Sequence, residues 1–218
     1  MALTKVNTGG LALDAVDNTI LKLDDDYALT GTVSGTGAFQ KVSSSSTTQT
    51  GLSSLLIALP TTTDFTSLKL ILIGLKAQSA ATQFWGVRFS SSSSVVTSTS
   101  YNYMLTKNYS NDSAGGITYD NDLNANEIRC GSGHCGDGSD DSEMTSLEID
   151  IHHSATNGRY TRGFLNRSLE KRHNDTYHYG NDGSFYLASG NVIDGIQIRL
   201  TTGNVFTTYG YSLYKTLF

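Results

Sequence analysis

The stretch MTSLEIDIHH (144–153) puts Leu147, Ile149 and Ile151 on one side of an extended backbone and Glu148, Asp150 and His152 on the other. Side chains alternate across a strand, so a slip of one residue would drive the carboxylates into the core; the register of this segment is therefore strongly set. The same rhythm recurs along most of the chain. LSSLLIAL (52–59) and SLKLILIGLKA (67–77) are apolar enough to be buried on both faces or nearly so, and QFWGVRFS (83–90) brings Phe84 and Trp85 to fill a core. YNYML, RYTRGFLNRS, DTYHYG and GSFYLAS are further candidates, while SSSSSVVTSTS and the Gly/Asn/Asp-rich region from Asn108 to about Asn126 read as loops.

Composition points the same way. Only 16% of the 218 residues are charged, Ser, Thr, Gly, Asn and Tyr are plentiful, and Pro60 is the single proline. Such material favours sheet and turn over helix. Eight or more turn-punctuated strands predict an all-β fold, an antiparallel jelly-roll-like β-sandwich over 39–218. A domain of this size buries on the order of 70% of its unfolded surface and needs no staple. The formal charge of -5 argues against nucleic acid as a partner, since phosphate binding needs clustered Lys and Arg. No apolar run approaches the roughly 20 residues that cross a bilayer, and no basic-then-apolar leader opens the chain. The expectation is a soluble protein without an export signal of its own.

Residues 1–38 differ from the rest of the chain. Leu11, Leu13, Val16, Ile20 and Leu23 are short apolar points interrupted by Asp and Asn, unable to close a core alone. Leu13, Val16, Ile20 and Leu23 fit one side of a short helix, and an extended arm fits the segment nearly as well, with Gly31, Gly35 and Gly37 marking the joint. The segment is either a loose terminus or an N-terminal anchoring arm that buries those residues against a partner subunit.

The ending NVIDGIQIRLTTGNVFTTYGYSLYKTLF alternates Ile196, Ile198 and Leu200 with Gln197 and Arg199, turns at Gly203 and Asn204, and continues through Tyr209, Tyr211 and Leu213. It reads as a closing two-strand hairpin, which completes a sheet and leaves its last strand paired. The segment resembles the C-terminal β-sandwich of tailed-phage virion proteins: tail fibres, tailspikes and head-attached fibres. That group carries an Ile-Asp/Thr-x-Ile-x-hydrophobic strand, a Gly-Asn corner and a last strand close to Gly-x-x-x-Leu-Tyr-Gly. Here 196–200, Gly203 with Asn204, and 210–214 hold those places, and Lys215 stands where the final glycine is usual. The leading segment is similar to the N-terminal part of marine-phage fibre proteins in its Gly-Gly-Leu (9–11), Asp-Ala-Val (14–16) and Ala-Leu-Thr-Gly-Thr (28–32) pieces. The resemblance implies a virion accessory protein assembled in the host cytoplasm. Its arm would plug into capsid or tail proteins, and its sandwich would project outward as a homotrimer for attachment to a host-surface glycan or, alternatively, as capsid decoration. Neither nucleic acid nor membrane is an expected partner.

Two clusters remain as candidates for chemistry. EIRCGSGHCGDGSDDSE joins Cys130, His134, Cys135 and Asp137 in a glycine-rich turn, which leaves free thiols, a disulfide and a metal site open. Its carboxylates, Asp137, Asp140, Asp141 and Glu143, suit calcium in type but not the twelve-residue loop in spacing, so a solvated acidic loop is the alternative. RYTRGFLNRSLEKRH gathers Arg159, Arg162, Arg167, Lys171, Arg172 and His173. Either these grip an anionic sugar or acidic neighbour, or they are the polar side of exposed strands; Tyr177, Tyr179, Tyr209, Tyr211 and Tyr214 could stack on sugar rings or be ordinary sheet and interface residues. The signatures of serine-elbow hydrolases, zinc proteases and phosphate loops are missing, and no carboxylate pair is singled out for glycan hydrolysis. A non-enzymatic role without cofactor is expected, with a glycan-degrading enzyme as the remote alternative.

Overall fold

The computed structural model describes residues 40–60, 67–78, 84–110, 115–130, 144–152, 161–171, 178–188 and 192–216. The chain divides into two units, Met1–Gly35 and Thr36–Phe218, and every described residue belongs to the second. The arm residues Leu11, Leu13, Val16, Ile20 and Leu23 lie outside the described residues.

Among the described residues there are fifteen strands and no helix. In chain order they are β1 (Gln40–Ser45), β2 (Gln49–Leu52), β3 (Leu55–Ala58), β4 (Ser67–Ala77), β5 (Trp85–Ser91), β6 (Ser94–Val95), β7 (Tyr101–Ser110), β8 (Gly115–Ala125), β9 (Ile128–Cys130), β10 (Thr145–His152), β11 (Thr161–Lys171), β12 (His178–Leu187), β13 (Gly195–Leu200), β14 (Phe206–Thr208) and β15 (Gly210–Thr216). A ten-stranded sheet runs β1-β15-β4-β10-β11-β12-β7-β8, with β14 and β2 attached beside β4. A five-stranded sheet runs β3-β13-β5-β6, with β9 on β5. All the pairings are antiparallel. The described residues of the second unit thus form the all-β, antiparallel sandwich that the alternation predicts.

The core lies between the sheets. From the larger one, Leu68, Leu70 and Leu72 of β4, Leu147, Ile149 and Ile151 of β10, and Tyr101, Tyr103 and Leu105 of β7 point inward and are buried. From the smaller come Trp85, Val87 and Phe89 of β5 and Ile196, Ile198 and Leu200 of β13. Each such side chain contributes about 1.5–3 kcal/mol on burial. Aromatic contacts cross between the layers: Trp85 meets Phe206 edge-on at 5.2 Å, and Phe89 lies 5.8 Å from Phe185 and 6.3 Å from Tyr101. The Trp85 indole N–H donates to Thr145 Oγ1 at 3.0 Å, so the one polar atom of the largest core side chain is satisfied from the facing sheet.

Three sequence expectations are corrected by this arrangement. The closing segment is not a hairpin: β13 pairs with β3 and β5 in the smaller sheet, whereas β15 lies between β1 and β4 in the larger one. Gly203, at φ 80°, helps turn the chain from one layer to the other, because each layer needs its own inward row of aliphatics. β15 is nonetheless paired on both sides. Next, β3 and β4 are buried on one face only, with Leu56 and Ile73 exposed, since nothing among the described residues covers the outer faces. Finally, the region read as a long loop contains β8. Ile117, Tyr119 and Leu123 alternate with Thr118, Asp120 and Asp122, a period of two obscured by the surrounding Gly and Asn. The serine run likewise holds a tight turn, with Ser92 and Ser93 at φ 52° and 62°, that joins β5 to β6. Burial pushes the Asp194 carboxyl up, yet the Ser90 hydroxyl and the Ser93 N–H, each donating to it at 2.6 Å, together with its own backbone N–H hold it below its usual range.

Thr145→Val keeps the shape of the core and deletes the acceptor of the indole N–H. Leaving that donor buried and unpaired is expected to cost about 1–3 kcal/mol, while Thr145→Ser is expected to retain most of the stability. Urea denaturation followed by Trp85 fluorescence measures both; equal midpoints for the two variants would contradict the clamp.

Candidate functional site

The outer face of the ten-stranded sheet is set by the same register that builds the core. Asp150, Phe164, Ser184 and Met104 are consecutive cross-strand partners on β10, β11, β12 and β7. His152, Arg162, Tyr186 and Asn102 form the adjacent row. Partners in an antiparallel sheet share a face, so these residues form one surface patch. Phe164 is 50% exposed and Tyr186 44%, unusual for rings on strands that also supply a core. The His152 ring meets Phe164 edge-on at 6.0 Å. Lys69 sits at the margin of the patch, bonded to Glu148 and 3.5 Å from Asp150. Its hydrogen bond to Glu148 and the neighbouring carboxylates raise its pKa against a smaller opposing effect of burial, which keeps the ammonium charged. Asn102 is buried and structural at one end: its Oδ1 accepts from the Asn124 N–H at 3.0 Å and supports a residue at φ 60°. The arrangement offers two flat apolar rings bordered by a carboxylate, an imidazole, a guanidinium and an ammonium.

The arginine cluster expected from the sequence is only partly described. Arg162 lies on this face, exposed and beside Tyr186. Arg167 lies on β11 in backbone register with Glu148. Arg159, Arg172 and Tyr177, and the side chains of Arg167 and Tyr179, lie outside the described residues. Of the other tyrosines, Tyr211 packs on the core and Tyr209 rests against Gly74.

Cys130 is fully buried as a free thiol, on the inward side of β9 opposite Trp85. Burial pushes it up to about 12, so at neutral pH the thiol in this fold is protonated. His134, Cys135 and Asp137 lie outside the described residues, as do Asp140, Asp141 and Glu143. Among the described residues no group of three or more His, Cys, Asp or Glu is placed to hold a metal.

A second charged group occupies the outer face of the smaller sheet. Glu127 is buried and its Oε2 lies 3.3 Å from Arg88 and 3.4 Å from Arg199. The carboxylate rests over Gly86, where a Cβ would come within 2.7 Å of it. Arg129 stands opposite Gly86 on β9. Both paired arginines are largely buried, so the cluster ties β9 to β5 and β13; stripping one partner from such a group typically costs about 3–5 kcal/mol. Nothing in the spacing of residues 88, 127 and 199 announces this cluster; pairing across three strands creates it. Phe164 and Tyr186 were visible only as candidate strand residues, and the sign of their exposure depends on the same pairing.

Comparison of the chain with protein-family models, curated proteins and solved structures finds no match.

Burial also raises Tyr101 to about 12, its hydroxyl accepting from the Phe89 N–H at 2.8 Å and donating to the Val96 carbonyl at 2.9 Å. In the unfolded chain Cys130 and Tyr101 release protons near their ordinary values of 9.0 and 10.0, well before the folded protein does. The folded state then binds more protons, so stability is full below pH 9 and falls as pH rises from 9 towards 12. Thermal midpoints at pH 7, 9 and 11 should show this decline, shallower in Cys130→Ala; identical slopes in the two proteins would contradict it.

Proposed function

We propose that the chain is a structural accessory protein of a tailed-phage virion, fibre-like, that displays the outer face of its ten-stranded sheet for attachment to a host-surface glycan. The resemblance of residues 1–38 and of the closing strands to virion fibre proteins supports the setting. The single observation that carries the binding role is the pair of half-exposed rings, Phe164 and Tyr186, set among Asp150, His152 and Arg162 on one rigid sheet. A pyranose has an apolar C–H face and a rim of hydroxyls. Aromatic rings cover the first, while carboxylate, imidazole and guanidinium groups satisfy the second. A flat platform suits a long polymer read along its length. In this reading residues 1–38 anchor the protein in capsid or tail through Leu11, Leu13, Val16, Ile20 and Leu23, and no catalytic step or cofactor is assigned. Capsid cementing without receptor binding is the second reading, favoured by the exposed apolar residues of β8, which suit protein contacts.

Binding of the purified chain to host-surface polysaccharide should weaken about five- to tenfold in Phe164→Ala and in Tyr186→Ala with no change in melting temperature. Wild-type protein that binds no such polysaccharide and does not block phage adsorption would favour the cement reading. Deletion of residues 1–30 is expected to abolish incorporation into particles; normal incorporation would refute the anchor.

A further inference from the structure

The two ends of the ten-stranded sheet are built differently. β1 is six residues long, carries Lys41 and is bulged at Val42, features that discourage pairing with a further strand. β8 is eleven residues long and contains neither proline nor a basic residue. One side of β8 pairs with β7, and the other is an open ladder among the described residues. Ile117, Tyr119 and Leu123 project from its outer face at 63, 73 and 74% exposure, and Met104 of β7 adds to them at 61%. The charges of β8, Asp120 and Asp122, sit on the opposite face, in register with Leu105 and Tyr103, where Lys107 binds Asp120 at 2.8 Å. An open edge of this length, apolar on its outer face, is a pairing surface in any register that keeps its inward carboxylates, Asp120 and Asp122, away from those of the partner strand.

We propose that β8 pairs with β8 of a second copy of this chain about a two-fold axis, continuing the sheet, a pairing of two copies in place of the homotrimer that the resemblance implies. The sequence of the strand selects both the occupant and the register. Centring the pair on residue 119 sets Tyr119 against Tyr119 of the second copy, the rings meeting where cross-strand aromatic pairs stabilise most. It sets Ile117 against Asn121 and Thr118 against Asp120, so every inward carboxylate faces a hydroxyl or a glycine. Centring on residue 120 would oppose two Asp120 side chains, and centring on 121 would oppose Asp120 to Asp122; both are penalised. Pairing β8 to β1 of another copy would lay the apolar row against Lys41 and Ser44, which cover it poorly. Strand polarity is satisfied, since β8 is antiparallel to β7 and an antiparallel β8 continues the alternation. Pairing residues 115–123 of two copies buries less than the about 800 Å² per partner of a standard stable complex, so association is concentration-dependent and is strengthened wherever copies are held close together. The axis stands perpendicular to the sheet and keeps both outer faces on the same side. If the glycan reading above holds, the pair is bivalent.

Self-association requires no ligand, so its test is independent of that reading. Sedimentation velocity of the full chain across two decades of micromolar concentration should show a mass that doubles. Tyr119→Lys and Tyr119→Glu, each at an exposed position and each folded by circular dichroism, should raise the concentration for doubling about tenfold or more. Mixing the two variants should restore doubling, because residue 119 faces itself across the axis and Lys then meets Glu. A wild-type mass that does not double, doubling unaffected by Tyr119→Lys, or a mixture that stays at the lower mass would each overturn the proposal.

Discussion

Trp85 reaches out of the five-stranded sheet, turns its ring edge against Phe206 and delivers its N–H to Thr145, and the spacing of the two layers is set by those contacts. An indole is too large to leave unfilled space and too polar at one atom to be buried without a partner, so it fixes both distance and lateral position. The aliphatic rows of β4, β10 and β13 then interdigitate in register, and the Phe89 contacts to Tyr101 and Phe185 close the layers further along. The inner faces of both sheets are consumed in this contact, so among the described residues recognition falls to outer faces, strand ends and edges.

Much of the architecture was legible in the sequence because one face of nearly every strand is buried and the other is wet. Leu147, Ile149 and Ile151 show that logic openly, and they are inward as expected. What the sequence conceals is pairing. β13 and β15 have the spacing of a hairpin, yet Gly203 leads the chain across the core and each strand joins a different sheet. β8 was concealed for another reason: on an edge strand the outward residues carry as many apolar groups as an inward row would, while its inward row is acidic beyond the end of the core.

The candidate surfaces were less legible than the fold. Arg162 was singled out for charge, and it does border the exposed rings, but Phe164 lay hidden within a strand-like run and Tyr186 within GSFYLAS. Their significance arises from being adjacent across β11 and β12, a relation that no local pattern encodes. Cys130 differs in kind: its neighbours in the sequence suggest chemistry, whereas its side chain is buried opposite Trp85, where a small thiol packs as an apolar group. Glu127 between Arg88 and Arg199 is a third case, three residues far apart in the chain and united only by the order of β9, β5 and β13.

The proposed role divides the sandwich into inner faces spent on packing and an outer face of the larger sheet given to recognition. Amide hydrogen exchange of the full chain, with and without host-surface polysaccharide, tests that division directly. Slow exchange throughout β4, β5, β10 and β13 in both states, with added protection confined to β10, β11 and β12 around residues 150–152, 162–164 and 184–186, is the predicted outcome. Protection that falls instead on the strands bearing Arg88, Arg129 and Arg199, or fast exchange in β5 and β10, would contradict it.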